Sequence, residues 1–140
     1  MRPALTRAAI VEEARRSIIA DGLEALSLRR IASALDVTAP ALYAYVTDKG
    51  DLLRAVAEGE LADLIDRFER VDEADPVARV EAYCRAYIDH ARANPELYPV
   101  MFIFPPDFAP GAPEGAEFPM ASQAFALSAA AVAEAIEVSG

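Results

Sequence analysis

The sequence predicts an all-α protein. Apolar residues recur at three- and four-residue spacing along most of the chain, helix-capping residues punctuate it at intervals, and no stretch alternates apolar with polar residues as a half-buried strand does. Thr6 is placed to N-cap a first helix in which Ile10, Ala14 and Ile18, with Val11 and Ile19, fall on one face. Asp21-Gly22 ends it, because glycine takes up the left-handed cap conformation without a steric penalty. Ser27 caps a short second helix, Leu28 to Leu35, whose Leu28, Ile31, Ala32 and Leu35 share a face. Asp36-Val37 is a tight break. Thr38 opens a third helix, expected to end near Tyr45-Val46, with Pro40 in its first turn where a missing N–H costs nothing. Thr47 or Asp48 caps a longer fourth helix carrying Leu52, Leu53, Val56, Leu61, Leu64, Ile65 and Phe68, to end near Val71.

Two further starts pair an N-cap residue with proline at the first helical position. Asp75-Pro76 begins a helix ending near Ala93, and Asn94-Pro95 a short one ending before Pro105-Pro106. Residues 105–119 hold five prolines and two glycines and read as a loop, either a lid or a plain connector. A last helix, Met120 to Val138, places Phe125, Ser128, Val132 and Ile136 on one face, and its eight alanines between Ala121 and Ala135 suit close approach to a neighbour.

Composition narrows the class. At 140 residues and 54% hydrophobic, the chain is long and apolar enough for a core of its own. Cys84 is the only cysteine and His90 the only histidine, which excludes an internal disulfide and a zinc finger and fits a reducing compartment. No apolar run is expected to approach the ~20 residues of a membrane span, so the expectation is a soluble cytoplasmic protein. The net charge of −10 is unevenly spread: residues 1–54 carry eight basic and seven acidic side chains, whereas residues 55–140 carry five and sixteen. Such a split suits a phosphate-facing N-terminal module and a differently employed remainder. Neither a Ser/His/Asp order, a phosphate loop nor paired metal ligands can be read from the sequence; an enzyme, a cofactor and a metal site are not expected.

The segment from Leu26 to Leu53 carries the functional signal. Two short helices joined by a tight turn make a helix-turn-helix, whose second helix enters the major groove while the first crosses the phosphate backbone. Residues 5–56 resemble the DNA-binding domain of the tetracycline-repressor-like (TetR) family of bacterial transcriptional regulators. The matching residues are Leu26 to Ala32, Leu35, Val37-Thr38, Leu42-Tyr43, Tyr45-Val46, Asp48-Lys49 and Leu52-Leu53. The resemblance implies that Ser27 and Arg29 touch phosphate and a base edge, and that Thr38, Ala39, Pro40 and Ala41 face the groove floor. It further implies that Tyr43 and Lys49 hold phosphates and that Tyr45 is a groove-side aromatic. Phosphate contacts set register and base contacts give specificity. Asp36 stands where the family usually has glycine, and Gly50 is unusual at the start of the fourth helix. Because Ala39, Ala41 and Ala44 leave the third helix poor in long polar side chains, readout is expected to lean on Thr38, Arg29, Tyr45, methyl contacts and DNA shape.

The division expected on this basis is 1–54 for the DNA-binding domain and 55–140 for a helical effector-binding and dimerisation domain, shortened at its C-terminus relative to the family. The resemblance implies a homodimer on a palindromic operator in double-stranded DNA, released by a small-molecule effector. Tyr83, Tyr87, Met101, Phe102 and Phe125 are candidate effector residues, with Phe104, Phe108 and Met120 as further apolar material. The fourth helix would couple the halves, since Lys49 lies at one end and Leu64, Ile65 and Phe68 at the other. The competing expectation is a DNA-free interaction module or small-molecule binder that retains a regulator's fold.

Overall fold

The computed structural model describes residues 4–102 and 119–140, which form six α-helices and no strand among them. They are α1 (Arg7–Asp21), α2 (Leu28–Ala34), α3 (Ala39–Leu42), α4 (Lys49–Glu69), α5 (Pro76–Ala93) and α6 (Pro119–Ser139), with short 3-10 turns at Leu23–Ala25 and Tyr98–Phe102. The expected loop at 105–118, with Phe104 and Phe108, lies outside the described residues.

Local chemistry explains the helix ends. Thr6 accepts a hydrogen bond from the Ala9 N–H at 3.0 Å, Ser27 from Arg30 at 3.2 Å, Asp48 from Asp51 at 2.7 Å and Asp75 from Ala78 at 2.8 Å, each satisfying a first-turn donor. Gly22 leaves α1 at φ +84°, and Asp36 holds the α2–α3 turn at φ +55°, a left-handed conformation that aspartate tolerates better than most residues. At Gly50 a Cβ would lie 3.1 Å from Asp48 Oδ1, so the missing side chain leaves the cap of α4 its room.

Three local expectations are corrected. The Thr38 side chain makes no cap hydrogen bond. Helix α3 stops at Leu42 instead of Tyr45-Val46: the chain tightens into i+3 bonds, Tyr43 N–H to Pro40 at 3.2 Å and Tyr45 N–H to Leu42 at 2.9 Å, and the Tyr45 carbonyl is taken by Arg7 at 2.8 Å. After Asn94-Pro95 there is a turn and a 3-10 segment in place of an α-helix, because Pro99 has no N–H to give to the Pro95 carbonyl.

The chain forms two compact units, and their limits differ from the contiguous 1–54 and 55–140 division. The first comprises residues 4–57 together with 94–102. Its core contains Ile10, Ala14, Ile18, Leu26, Ile31, Leu42, Val46, Leu52 and Val56, and also Leu97 and Val100, which are 1% and 0% exposed. The physical reason is burial: the 3-10 segment has two apolar side chains to hide and hides them among α1–α4. The second unit comprises 58–93 and 119–140. Here Leu61, Leu64, Ile65 and Phe68 of α4 and Ala121, Ala124 and Ala131 of α6 are buried, and α6 packs along α5, tied by an ion pair from Arg79 to Glu134. Glu58 Oε2 accepts the Met120 N–H at 3.3 Å, while its Oε1 is buried without a hydrogen-bond partner among the described residues; desolvation raises the carboxyl's pKa, opposed by the Met120 bond.

Helix α6 corrects the expectation about apolar runs. By length and composition it could cross a membrane, the one such helix among the described residues. Within the unit it packs along α5 with Ala121, Ala124 and Ala131 buried, while Phe125, Val132, Ile136 and Val138 stay exposed.

Candidate functional site

In the first unit α2, α3 and the turn into α4 each carry exposed side chains. Leu42 and Val46 point into the core, and Tyr43, Ala44 and Tyr45 between them are exposed. Tyr43 is 56% and Tyr45 39% exposed. Thr38, Pro40, Lys49 and Arg29 are exposed, and Ser27, Ala39 and Ala41 half-buried. A shallow, mainly polar cleft of about 370 Å³ joins Arg29 and Ser33 of α2 to Asp36 of the turn and Ala39 of α3. Ser27 Oγ is spent on its own helix, capping Arg30. Among the described residues the hydroxyls of Thr38, Tyr43 and Tyr45 have no hydrogen-bond partner.

Charge pairing sorts the basic side chains of this unit. Arg7 grips Asp51 through two bonds of 3.0 Å, Arg16 lies 3.6 and 3.8 Å from Glu12 and Glu13, and Arg30 bonds Asp21 at 2.9 Å and the Ala25 carbonyl at 3.2 Å. Arg15 and Arg54 also have interactions within the chain. Arg29 and Lys49 have none among the described residues. Both sit in the first turn of a helix, where the macrodipole disfavours a cation by about 0.3–1 kcal/mol. Two exposed cations placed against their helix dipoles, on segments that also expose unused hydroxyls, are groups suited to an anionic partner.

The Arg7–Asp51 pair holds these segments in shape. Arg7 reaches the Tyr45 carbonyl at 2.8 Å, and Asp51 accepts the Thr47 N–H at 2.8 Å, so the α3–α4 turn is fixed from both sides. The bond from Arg7, then that from Thr47, holds the Asp51 carboxyl down at about 2, against an ordinary 3.8. A carboxyl with a depressed folded pKa stabilises the fold fully above its ordinary value, and that contribution is lost as pH falls toward about 2. Because the pair is partly open to solvent, Asp51→Asn is expected to cost on the order of 1 kcal/mol near pH 7, a cost that shrinks as pH falls below the ordinary carboxylate value and vanishes only below about 2. Acid unfolding of the full chain, followed by circular dichroism, checks this: identical acid limbs for the variant and the parent would contradict it.

In the second unit an apolar groove of about 320 Å³ is lined by Phe68 of α4, by Val80, Tyr83, Cys84, Tyr87 and Ile88 of α5, and by Ser128, Ala131 and Val132 of α6. Phe68 stacks on Tyr83 at a centroid distance of 4.7 Å. The Ser128 hydroxyl donates to the Ala124 carbonyl at 2.9 Å, which leaves the walls almost wholly apolar. Of the five candidate effector residues, Tyr83 and Tyr87 line this groove and three do not. Met101 is buried in the 3-10 segment that packs in the first unit; Phe102, in the same segment, is exposed against Tyr98 at 4.8 Å; Phe125 is 55% exposed on α6. Aromatic content alone does not single out this groove; its signal in the sequence is register, since Val80, Tyr83, Cys84, Tyr87 and Ile88 form a continuous three-and-four stripe on α5.

Residues 10–56 match the family model for bacterial regulatory proteins of the tetR family, and residues 80–139 match that for the tetracyclin repressor-like C-terminal domain. A curated relative, an HTH-type transcriptional repressor of Streptomyces coeruleorubidus, is 35% identical over 107 residues, covering 71% of this chain and 36% of the relative. The chain spans 36–44% of the length of the curated relatives it matches. Among solved structures, a possible TetR family transcriptional regulator from Streptomyces coelicolor A3(2) is 29% identical with a TM-score of 0.72, over 92% of this chain and 58% of that one. The Streptomyces coelicolor TetR family protein ActR, in complex with (S)-DNPA, is 25% identical with a TM-score of 0.65, over 98% and 73%.

Proposed function

The chain belongs to the TetR family of bacterial regulatory proteins, a family of transcriptional regulators, and from that premise we propose that it is a DNA-binding repressor released from its operator by a small-molecule effector. The observation that carries the reading is the pairing pattern above: the first unit neutralises Arg7, Arg16 and Arg30 with carboxylates and, among the described residues, leaves Arg29 and Lys49 unpaired on segments that also expose Thr38, Tyr43 and Tyr45. In this reading Lys49 and the Tyr43 hydroxyl hold phosphates, setting register. Thr38, Ala39, Pro40 and Ala41 lie against base edges, Arg29 reaches a phosphate or a base from α2, and Tyr45 flanks the groove. Ser27 acts through its backbone position, since its hydroxyl caps α2.

The protein works in the cytoplasm as a homodimer, because two half-sites about 34 Å apart require two recognition helices. The apolar groove of the second unit falls in the size range of small-molecule sites, and Tyr83 and Tyr87 offer it aromatic walls. The complex of ActR with (S)-DNPA supports effector binding by a protein of this fold. Helix α4 is uninterrupted from Lys49 to Glu69, giving Leu52 and Val56 to one core and Leu64, Ile65 and Phe68 to the other. An effector that favours one setting of this helix would shift operator affinity by the ~1–3 kcal/mol typical of allosteric coupling.

Selection of bound duplexes from a random pool, with oligomeric state measured in the same buffer, tests the reading. A palindromic winner whose affinity falls steeply with salt is expected. Absence of salt-dependent duplex binding would overturn it in favour of a DNA-free binding module.

A further inference from the structure

Building on the DNA-binding reading, we infer that the operator half-site is read chiefly through thymine C5-methyl groups, with Arg29 alone supplying a strong hydrogen-bonding contact to a base edge. Helix α3 and its flanking residues expose only short, uncharged side chains between Thr38 and Ala44, Tyr43 apart. Thr38, Pro40 and Ala44 are exposed and Ala39 and Ala41 half-buried. None of these carries an amide, a guanidinium, an ammonium or a carboxylate, the groups that bond two atoms of a purine edge or the amino group of cytosine. The base-edge feature left for an alanine or proline surface to recognise is the thymine methyl, through van der Waals contact. The short side chains also let the α3 backbone sit deep, where long ones would hold it away.

Thr38 adds one group of mixed character. Its methyl fits the same chemistry, and its hydroxyl, unused as a cap, is available for a single bond. Arg29 is different. It shares the surface cleft with Ala39 at the start of α3 and has no partner among the described residues, whereas its neighbour Arg30 is committed to Asp21 and to the Ala25 carbonyl. A free guanidinium at the edge of a methyl-lined probe matches the O6 and N7 acceptors of one guanine per half-site.

The test uses the full chain and the duplex it selects from a random pool, resynthesised with deoxyuridine in place of each thymine in turn. Uracil keeps every hydrogen-bonding group and loses only the methyl. Two or more thymines in each half-site are expected to show about a fourfold loss of affinity each on this exchange, with the salt slope unchanged because no phosphate contact is touched. Arg29→Ala should relax the preference at one G·C pair per half-site by roughly 5- to 150-fold and leave the deoxyuridine losses in place. Equal affinity for the thymine and deoxyuridine duplexes at every position would overturn the inference and assign specificity to groove shape. Salt-dependent binding without any sequence preference would also overturn it while sparing the DNA-binding reading; no duplex binding at all would remove that reading as well.

Discussion

Leu97→Ala is expected to destabilise the helix-turn-helix unit by about 2–5 kcal/mol, although the residue lies beyond α5 in the chain. Leu97 is 1% exposed in a core shared with Ile10, Leu52 and Val56. Truncation there removes buried methyl groups and leaves a cavity that the surrounding helices close only in part. Native-state hydrogen exchange of the full chain provides the measurement, since it reports protection helix by helix. Amides of α1 and α2 should lose protection together in Leu97→Ala, as they should in Leu42→Ala. Unchanged protection of α1 would show that the 94–102 segment contributes nothing to that core.

The second large effect concerns binding. Lys49→Ala and Tyr43→Phe are each expected to weaken duplex binding about 10-fold, and together about 100-fold, as the loss of a charge-assisted contact implies. The lysine change should also lower the salt slope by about one, whereas the tyrosine change should not. Neither side chain has a hydrogen-bond or ion-pair partner among the described residues, so stability should hold; Lys49→Ala should raise it slightly by removing a cation from the first turn of α4. Affinity measured against salt, beside thermal melts, separates the two effects. A Lys49→Ala protein that binds as tightly as the parent would remove Lys49 from the interface.

What could be read from the sequence was local. Thr6, Ser27, Asp48 and Asp75 declare their helices because an N-cap needs only a short polar side chain and the next three residues. The exposure of Tyr43 followed from its neighbour Leu42, which must face inward. Long-range facts were not accessible in this way. Arg7 and Asp51 find each other across 44 positions of sequence, and nothing near either residue announces the pairing. The return of Leu97 and Val100 to the first core depends on where α5 ends, which periodicity does not give. Met101, Phe102 and Phe125 were chosen for their chemistry, and tertiary packing sent each to a different environment. Pro99 was visible all along, and its missing N–H is a sufficient reason to expect a 3-10 turn there.

The salt bridge between Arg7 and Asp51 has a practical corollary for anyone handling this protein. The first residue of the first helix braces the end of the segment proposed to read DNA, so trimming the N-terminus past Thr6, or fusing a rigid tag directly against it, would slacken that end without altering a single DNA-facing side chain. Loss of operator recognition in such a preparation would reflect a missing brace, and where a rigid tag is the cause a flexible spacer ahead of Leu5 should restore it.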